Sequence, residues 1–160
     1  MSKYFPKILL NDMLKLRECH HRLWSVIYPV YVNRLIPFKI ITGFRNEIEQ
    51  NLCFHNGRSK KKWPESMHNK TIKLNDTGEI IPCSGAIDVA PTYANKNGVW
   101  VIDWESIPAF SYLAGMIMWQ AKKAGIGLIW GGDWNNDGNL SDGWDFGHFE
   151  LTEKEWNRSL

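Results

Sequence analysis

Ser84-Gly85-Ala86-Ile87-Asp88-Val89-Ala90-Pro91 sets a carboxylate inside an apolar run. Residues 86–90 read as a β-strand by their composition and length. A carboxylate between Ile87 and Val89 has to be paired or metal-bound wherever that strand is covered, because an isolated buried charge is too costly. One short segment therefore predicts a strand and points to a site on it.

On the C-terminal side, residues 99–102 read as a second strand. Ser106 is a candidate cap for a helix with Pro108 just inside it. That helix is apolar from Ala109 to Trp119 and is expected to stop near Gly125, and its Ala114-Gly115 pair suggests close packing against a sheet. Residues 126–130 read as a strand, 131–147 as a polar loop rich in Gly and Asp, and 148–151 as a final strand. Thr152-Glu153-Lys154-Glu155 fits a capping box for a last helical turn. On the N-terminal side, residues 58–83 read as loop, with a short hairpin around Asp76-Thr77-Gly78. A helix is expected over 45–55, stopped at Gly57, and a strand over 37–42 entering a turn at Gly43. Residues 8–28 have approximate helical spacing, with Pro29 as the expected end. The resulting class is α+β, a small antiparallel sheet flanked by helices.

The chain of 160 residues suits one domain, 1–160, with the motif-bearing core over 43–151. A net charge of +2 is too mild to argue for nucleic-acid binding. The local run Arg58-Ser59-Lys60-Lys61-Lys62 reads as a solvated loop or as an attraction for an anionic polymer such as a cell wall. Cys19, Cys53 and Cys83 form no CxxC and no even set, so a disulfide framework is not expected and folding in a reducing cytoplasm is. Residues 1–7 contain no signal-peptide core, and no apolar stretch reaches the ~20 residues of a membrane span. Nine Trp is high for this length, and some are expected to line a ligand groove.

His68 and His148 join Asp88 as the chemistry-bearing set. Two imidazoles and a carboxylate suit a catalytic zinc, which takes three such ligands and leaves a fourth position for water. Asp145, three residues before His148, can act as base toward that water; alternatively, it is a loop residue bonding its own backbone.

Four blocks resemble the bacterial D-Ala-D-Ala carboxypeptidase/dipeptidase family and its phage endolysin branch of L-alanyl-D-glutamate peptidases, with the hedgehog/DD-peptidase-like fold. They are Gly43-Phe44-Arg45 through Gln50 with Gly57-Arg58-Ser59; Ser66-Met67-His68; Ser84 to Pro91; and Trp130-Gly131-Gly132-Asp133-Trp134 followed by Asp145-x-x-His148-Phe149-Glu150-Leu151. The resemblance implies a zinc peptidase of peptidoglycan stems. It makes His68, Asp88 and His148 the zinc ligands, Asp145 the general base, and Arg45 the group that holds substrate or the developing oxyanion. Gln50, Ser66 and Trp130 become candidates for substrate binding, Gln50 and Ser66 also for site support. It further implies a one-domain monomer that acts on the cell wall from the host cytoplasm, released by a separate pore-forming protein. The endolysin branch implies cleavage between L-Ala and D-Glu. A D-Ala-D-Ala carboxypeptidase or dipeptidase with the same zinc chemistry, and a non-catalytic wall-binding module, are the alternatives.

The chain departs from the family at one place. Twenty positions separate His68 from Asp88, where relatives have a compact Ser-x-His-x-x-Gly-x-Ala-x-Asp motif. Residues 69–83 read as an insertion, tolerable because each doubling of a loop costs only about 0.6 kcal/mol. His55 is the substitute ligand, and Ser66 at the family offset favours His68. Separately, Asp133, Asn135 and Asp137 with Gly138 match positions 1, 3, 5 and 6 of a calcium loop, but Trp144 stands at position 12. A run of Asx turns is the other reading.

Overall fold

The computed structural model describes residues 9–33 and 35–158. The expectation for residues 1–7 lies outside them. Among the described residues, five α-helices and eight strands follow in the order α1 (Leu10–Arg17), α2 (His21–Asn33), β1 (Phe38–Thr42), α3 (Glu47–His55), β2 (Thr71–Lys73), β3 (Ile80–Pro82), β4 (Ala86–Pro91), β5 (Tyr93–Ala94), β6 (Trp100–Val101), α4 (Ile107–Ala124), β7 (Leu128–Trp130), β8 (His148–Leu151) and α5 (Glu153–Trp156). The main sheet is antiparallel, in the order β1-β4-β8-β7, and β2-β3 and β5-β6 form separate hairpins.

Alternation along the strands divides the main sheet into two chemistries. Ile87 and Val89 on β4 and Phe149 and Leu151 on β8 join the core with Leu23, Val26 and Ile27 of α2 and Leu113, Ala114 and Ile117 of α4. The intervening residues, Asp88, His148 and Glu150, belong to the other face. Asp88 is directly opposite His148, and Ile87 opposite Phe149. On the other edge, the register of β1 against β4 slips between Ile40 and Thr42, so Thr42 pairs with Asp88. Such a bulge bends a strand and re-aims its neighbours.

The helix expected over 8–28 is two helices; its first residue lies outside the described set. The break at residues 18–20 comes from tertiary pairing. His20 N donates to Ser84 O at 2.8 Å, and Ser84 N to Glu18 O at 2.7 Å. Pro29 does not end α2 but lies within it, where burial of Leu23, Val26, Ile27, Val30 and Tyr31 holds the helix together. Ser106 occupies the cap position of α4 without a side-chain cap bond. Of the small pair on α4, Ala114 is buried, but Gly115 faces open space. Gly125 ends the helix in the left-handed region at φ 66°.

The insertion over 69–83 is the β2-β3 hairpin. Its two ends are tied together, with Cys83 N donating to Lys70 O at 3.0 Å and Gly85 N to Met67 O at 2.9 Å. The chain therefore leaves and re-enters the same place, and the added length is excluded from the path between His68 and Asp88. Cys19, Cys53 and Cys83 are free thiols. No helix among the described residues is long and apolar enough to cross a membrane.

Candidate active site

Three chain segments converge on the polar face of the sheet. Asp88 comes from β4, His148 from the start of β8, and His68 from a 3-10 turn, Met67–Asn69. Ser66 caps that turn: its hydroxyl accepts from His68 N at 3.2 Å, while Asn69 Oδ1 accepts from Ser66 N at 3.1 Å. The His68 ring is then fixed by Nδ1 against the Gly43 carbonyl at 2.6 Å. Gly43 has to be glycine, because a Cβ there would stand 2.4 Å from the Lys15 carbonyl oxygen.

His68 Nε2 lies 3.3 Å from His148 Nδ1 and 3.3 Å from Asp88 Oδ1, and His148 Nδ1 lies 2.9 Å from Asp88 Oδ1. Among the described residues this is the one cluster of three His, Cys, Asp or Glu side chains able to close on a metal ion. The spacings suit a tetrahedral ion with bonds of about 2.0–2.1 Å, whose neighbouring donors stand ~3.3 Å apart. Each imidazole also has its second nitrogen occupied, His68 on Gly43 O and His148 Nε2 on Glu150 Oε2 at 3.1 Å. Such outer partners orient metal-binding imidazoles and fix their tautomers. The residues therefore fit a zinc ion. His55, the substitute ligand, is exposed on α3 and is not part of the cluster.

Electrostatics of the cluster follow from this crowding. Burial favours neutral Asp88, but His68 and His148 reverse that and hold it well below the usual carboxylate range. Burial also opposes charge on His148, yet hydrogen bonds to Asp88 and Glu150 push its pKa up to about 9. Glu150, opposed by burial, is lowered chiefly by its bond to His148. Asp145 behaves differently: burial raises it, and the charge of His148 only partly offsets that rise. A carboxylate moved toward neutrality is suited to taking and giving a proton.

Asp145 is positioned by its backbone. Its N–H donates to Gly131 O at 3.2 Å, and its carbonyl accepts from His148 N at 3.0 Å. A Cβ on Gly131 would fall 2.3 Å from the Asp145 carbonyl oxygen, so only glycine admits this approach. Arg45, with its N–H on His68 O at 2.9 Å, pairs through its guanidinium with Asp88 Oδ2. Just after it, Asn46 and Glu49 form the reciprocal cap of α3.

A cleft of about 570 Å³ opens over the cluster. Arg45, Ser66, His68, Asp145, His148 and Glu150 line it, as do Trp134 and Trp144 and the segment Arg58 to Lys61. Trp134 stacks on Trp144 at 5.7 Å between ring centroids and lies 5.2 Å from His148.

Two expected substrate contacts lie elsewhere. Trp130 is a core residue, 8 % exposed, stacked on Phe149, with Nε1 donating to Phe146 O at 2.8 Å. It lies on β7 opposite Phe149, which commits it to the apolar face. Gln50 is fully buried, and its amide donates to Ser59 Oγ at 2.9 Å and Lys61 O at 2.7 Å. It supports the cleft wall without reaching the cleft. Glu150, Trp134 and Trp144 join the site although motif spacing alone does not assign them there. The spacing His148-x-Glu150 on a strand, which puts both on one face, is the available signal for Glu150.

The 133–142 loop gathers Asp133, Asn135 and Asp137. Asp133 Oδ1 accepts from Asp137 N at 3.0 Å, Asp133 Oδ2 from Gly138 N at 3.0 Å, and Asn135 Nδ2 donates to Asp137 Oδ2 at 2.9 Å. Trp144, at the twelfth position, turns to Trp134 and brings no carboxylate.

The family described as phage L-alanyl-D-glutamate peptidase matches residues 6–152. The chain is 33 % identical over 119 residues to the L-alanyl-D-glutamate peptidase of Escherichia phage T5, covering 71 % of this chain and 74 % of that protein. The solved structure of an L-Ala D-Glu endopeptidase from Serratia marcescens superposes with a TM-score of 0.67 at 24 % identity, over 93 % of this chain and 92 % of that one, a likeness of fold.

Proposed function

The chain belongs to the phage L-alanyl-D-glutamate peptidase family, and from that premise we propose that it is a zinc peptidase cutting between L-Ala and D-Glu in peptidoglycan stems, for host lysis. The observation that carries the zinc reading is the convergence of His68 Nε2, Asp88 Oδ1 and His148 Nδ1 at 2.9–3.3 Å, with Asp145 in the same cleft.

Zinc held by these three residues would polarise the scissile carbonyl and lower the pKa of water to roughly 7. Asp145 takes the proton of the attacking water and returns it to the leaving amine. Burial raises its pKa, which favours its holding that proton between the two transfers. Arg45 pairs with Asp88 and offers its remaining N–H groups to the carbonyl oxygen as that oxygen gains charge. Glu150 holds His148 in the orientation that presents Nδ1. Trp134 and Trp144 exclude water beside the reacting atoms and give the stem an apolar surface.

Purified peptidoglycan tests this directly. Turbidity should fall with the wild type, not after zinc is stripped, and recover when zinc is returned. Product masses should show release at L-Ala–D-Glu; loss of a terminal D-Ala would assign the carboxypeptidase activity instead, and binding without release would assign a wall-binding module. We also propose calcium at Asp133, Asn135 and Asp137, supported by the oxygen spacing and by Gly138 at φ 80° in the sixth position. Such an ion would order the loop that delivers Asp145 and His148, so excess EGTA should lower activity with zinc retained. Full activity in EGTA would sink the calcium assignment.

A further inference from the structure

Arg58, Lys60 and Lys61 line the cleft, and among the described residues none of them is in an ion pair. A solvated basic run needs no fixed backbone, yet this one is tied down. Arg58 N and Ser59 N donate to Cys53 O at 2.8 and 3.1 Å, and buried Gln50 donates to Ser59 Oγ and to Lys61 O. Lys60 Nζ lies 4.2 Å from the centroid of the Trp144 ring, a cation–π contact joining this segment to the one that carries Asp145. Arg45, the remaining cation of the cleft, is taken by Asp88. Glu150 feels Lys61 through space but is bonded to His148. Arg58 and Lys61 are thus left with fixed backbones and no carboxylate in contact, beside the reacting centre. Such a pair favours a ligand that brings its own anion.

The bond assigned above has an anion next to it. D-Glu continues the stem through its γ-carboxyl, so its α-carboxylate is free and adjoins the scissile amide. We propose that Arg58 and Lys61 are specificity-determining residues that hold this α-carboxylate on the leaving side, with Lys60 positioning Trp144. The protein therefore discriminates stems with free D-Glu from stems in which that carboxyl is amidated. Arginine suits the task through its paired donors, and lysine through its point charge. This inference rests on the L-Ala–D-Glu reading.

The test uses the full chain with zinc and two N-acetylated stem pentapeptides, L-Ala-γ-D-Glu-Lys-D-Ala-D-Ala and its D-isoglutamine counterpart, with products weighed. The wild type should favour the free acid by about 10- to 100-fold in kcat/KM, the usual range for one or two charge-assisted contacts. Arg58→Gln and Lys61→Gln should each raise KM on the acid more than they change kcat, and should draw the acid-to-amide ratio toward one. Lys61→Arg should keep the ratio, and added salt should shrink it in the wild type. Cleavage at L-Ala–D-Glu with no acid preference, or with the ratio untouched in both Gln variants, overturns this proposal alone. Release of D-Ala, or no hydrolysis of either peptide, overturns the bond assignment and this proposal with it.

Discussion

The two faces of the main sheet use the same strands for opposite purposes. On one face, Ile87, Val89, Phe149 and Leu151 are at most 1 % exposed and pack in the apolar core. On the other, one residue away in sequence, Asp88, His148 and Glu150 hold each other through charged hydrogen bonds. The apolar face has no directional demands and is stabilised in proportion to area buried. The polar face gains little net stability from its charges, because desolvation consumes much of their attraction. Its value is geometric: three donors converge where a cation can compensate them. The strand rigidity that comes from the first face is what makes the second precise.

Substitutions on either face show whether the division holds. The largest expected effect is on activity: Asp145→Ala should lower kcat by about 10²–10⁴-fold while leaving the thermal midpoint nearly unchanged. A large fall in midpoint would mean that the site and core are not separable. Phe149→Ala, on the apolar face, should instead cost about 3–5 kcal/mol in urea unfolding, by transfer and cavity terms together.

The histidines differ along the same line. His148 is buried against two carboxylates and is raised to about 9, whereas His20 is buried with Nε2 unpartnered and is lowered to about 4, by burial and then by the charge of His21. His20 therefore stays neutral in the folded chain while the unfolded chain binds a proton near pH 6.5. Its contribution is present above that pH and is lost as pH falls from about 6.5 to 4, a loss of up to about 3 kcal/mol. Unfolding free energies of wild type and His20→Gln measured from pH 7 to pH 4 should converge over that window; parallel curves would mean that His20 does not titrate there. The smallest expected effect is at Glu150→Gln, which keeps size but removes charge from the bond to His148 Nε2. Zinc affinity should fall about 10- to 100-fold with little change in stability, as read by competition with a chromophoric chelator.

Most of the elements are legible from local sequence. The strand around Asp88, the helix stop at Gly125 and the hairpin at Asp76-Thr77-Gly78 follow from local period, a left-handed glycine and turn chemistry, all encoded within a few residues. Helices α1 and α2 are not legible as two, because the break between them is made by Ser84, more than sixty residues away. Nor is the burial of Trp130, since motif position does not say which way a strand residue points until its partner Phe149 is known.

Residue types at the site, their order along the chain and the α+β class were all written in the sequence, since each depends on side-chain chemistry and short-range periodicity. It took the folded chain to bring His68, across a fifteen-residue excursion over 69–83, to Asp88 and His148, because the ends of the β2-β3 hairpin are tied back to one point. Folding likewise made Gln50 a support of the wall and left Arg58 and Lys61 beside the reacting centre, without ion pairs among the described residues. Those facts are distances between segments remote in the chain, and local physics cannot fix such distances until the core has closed.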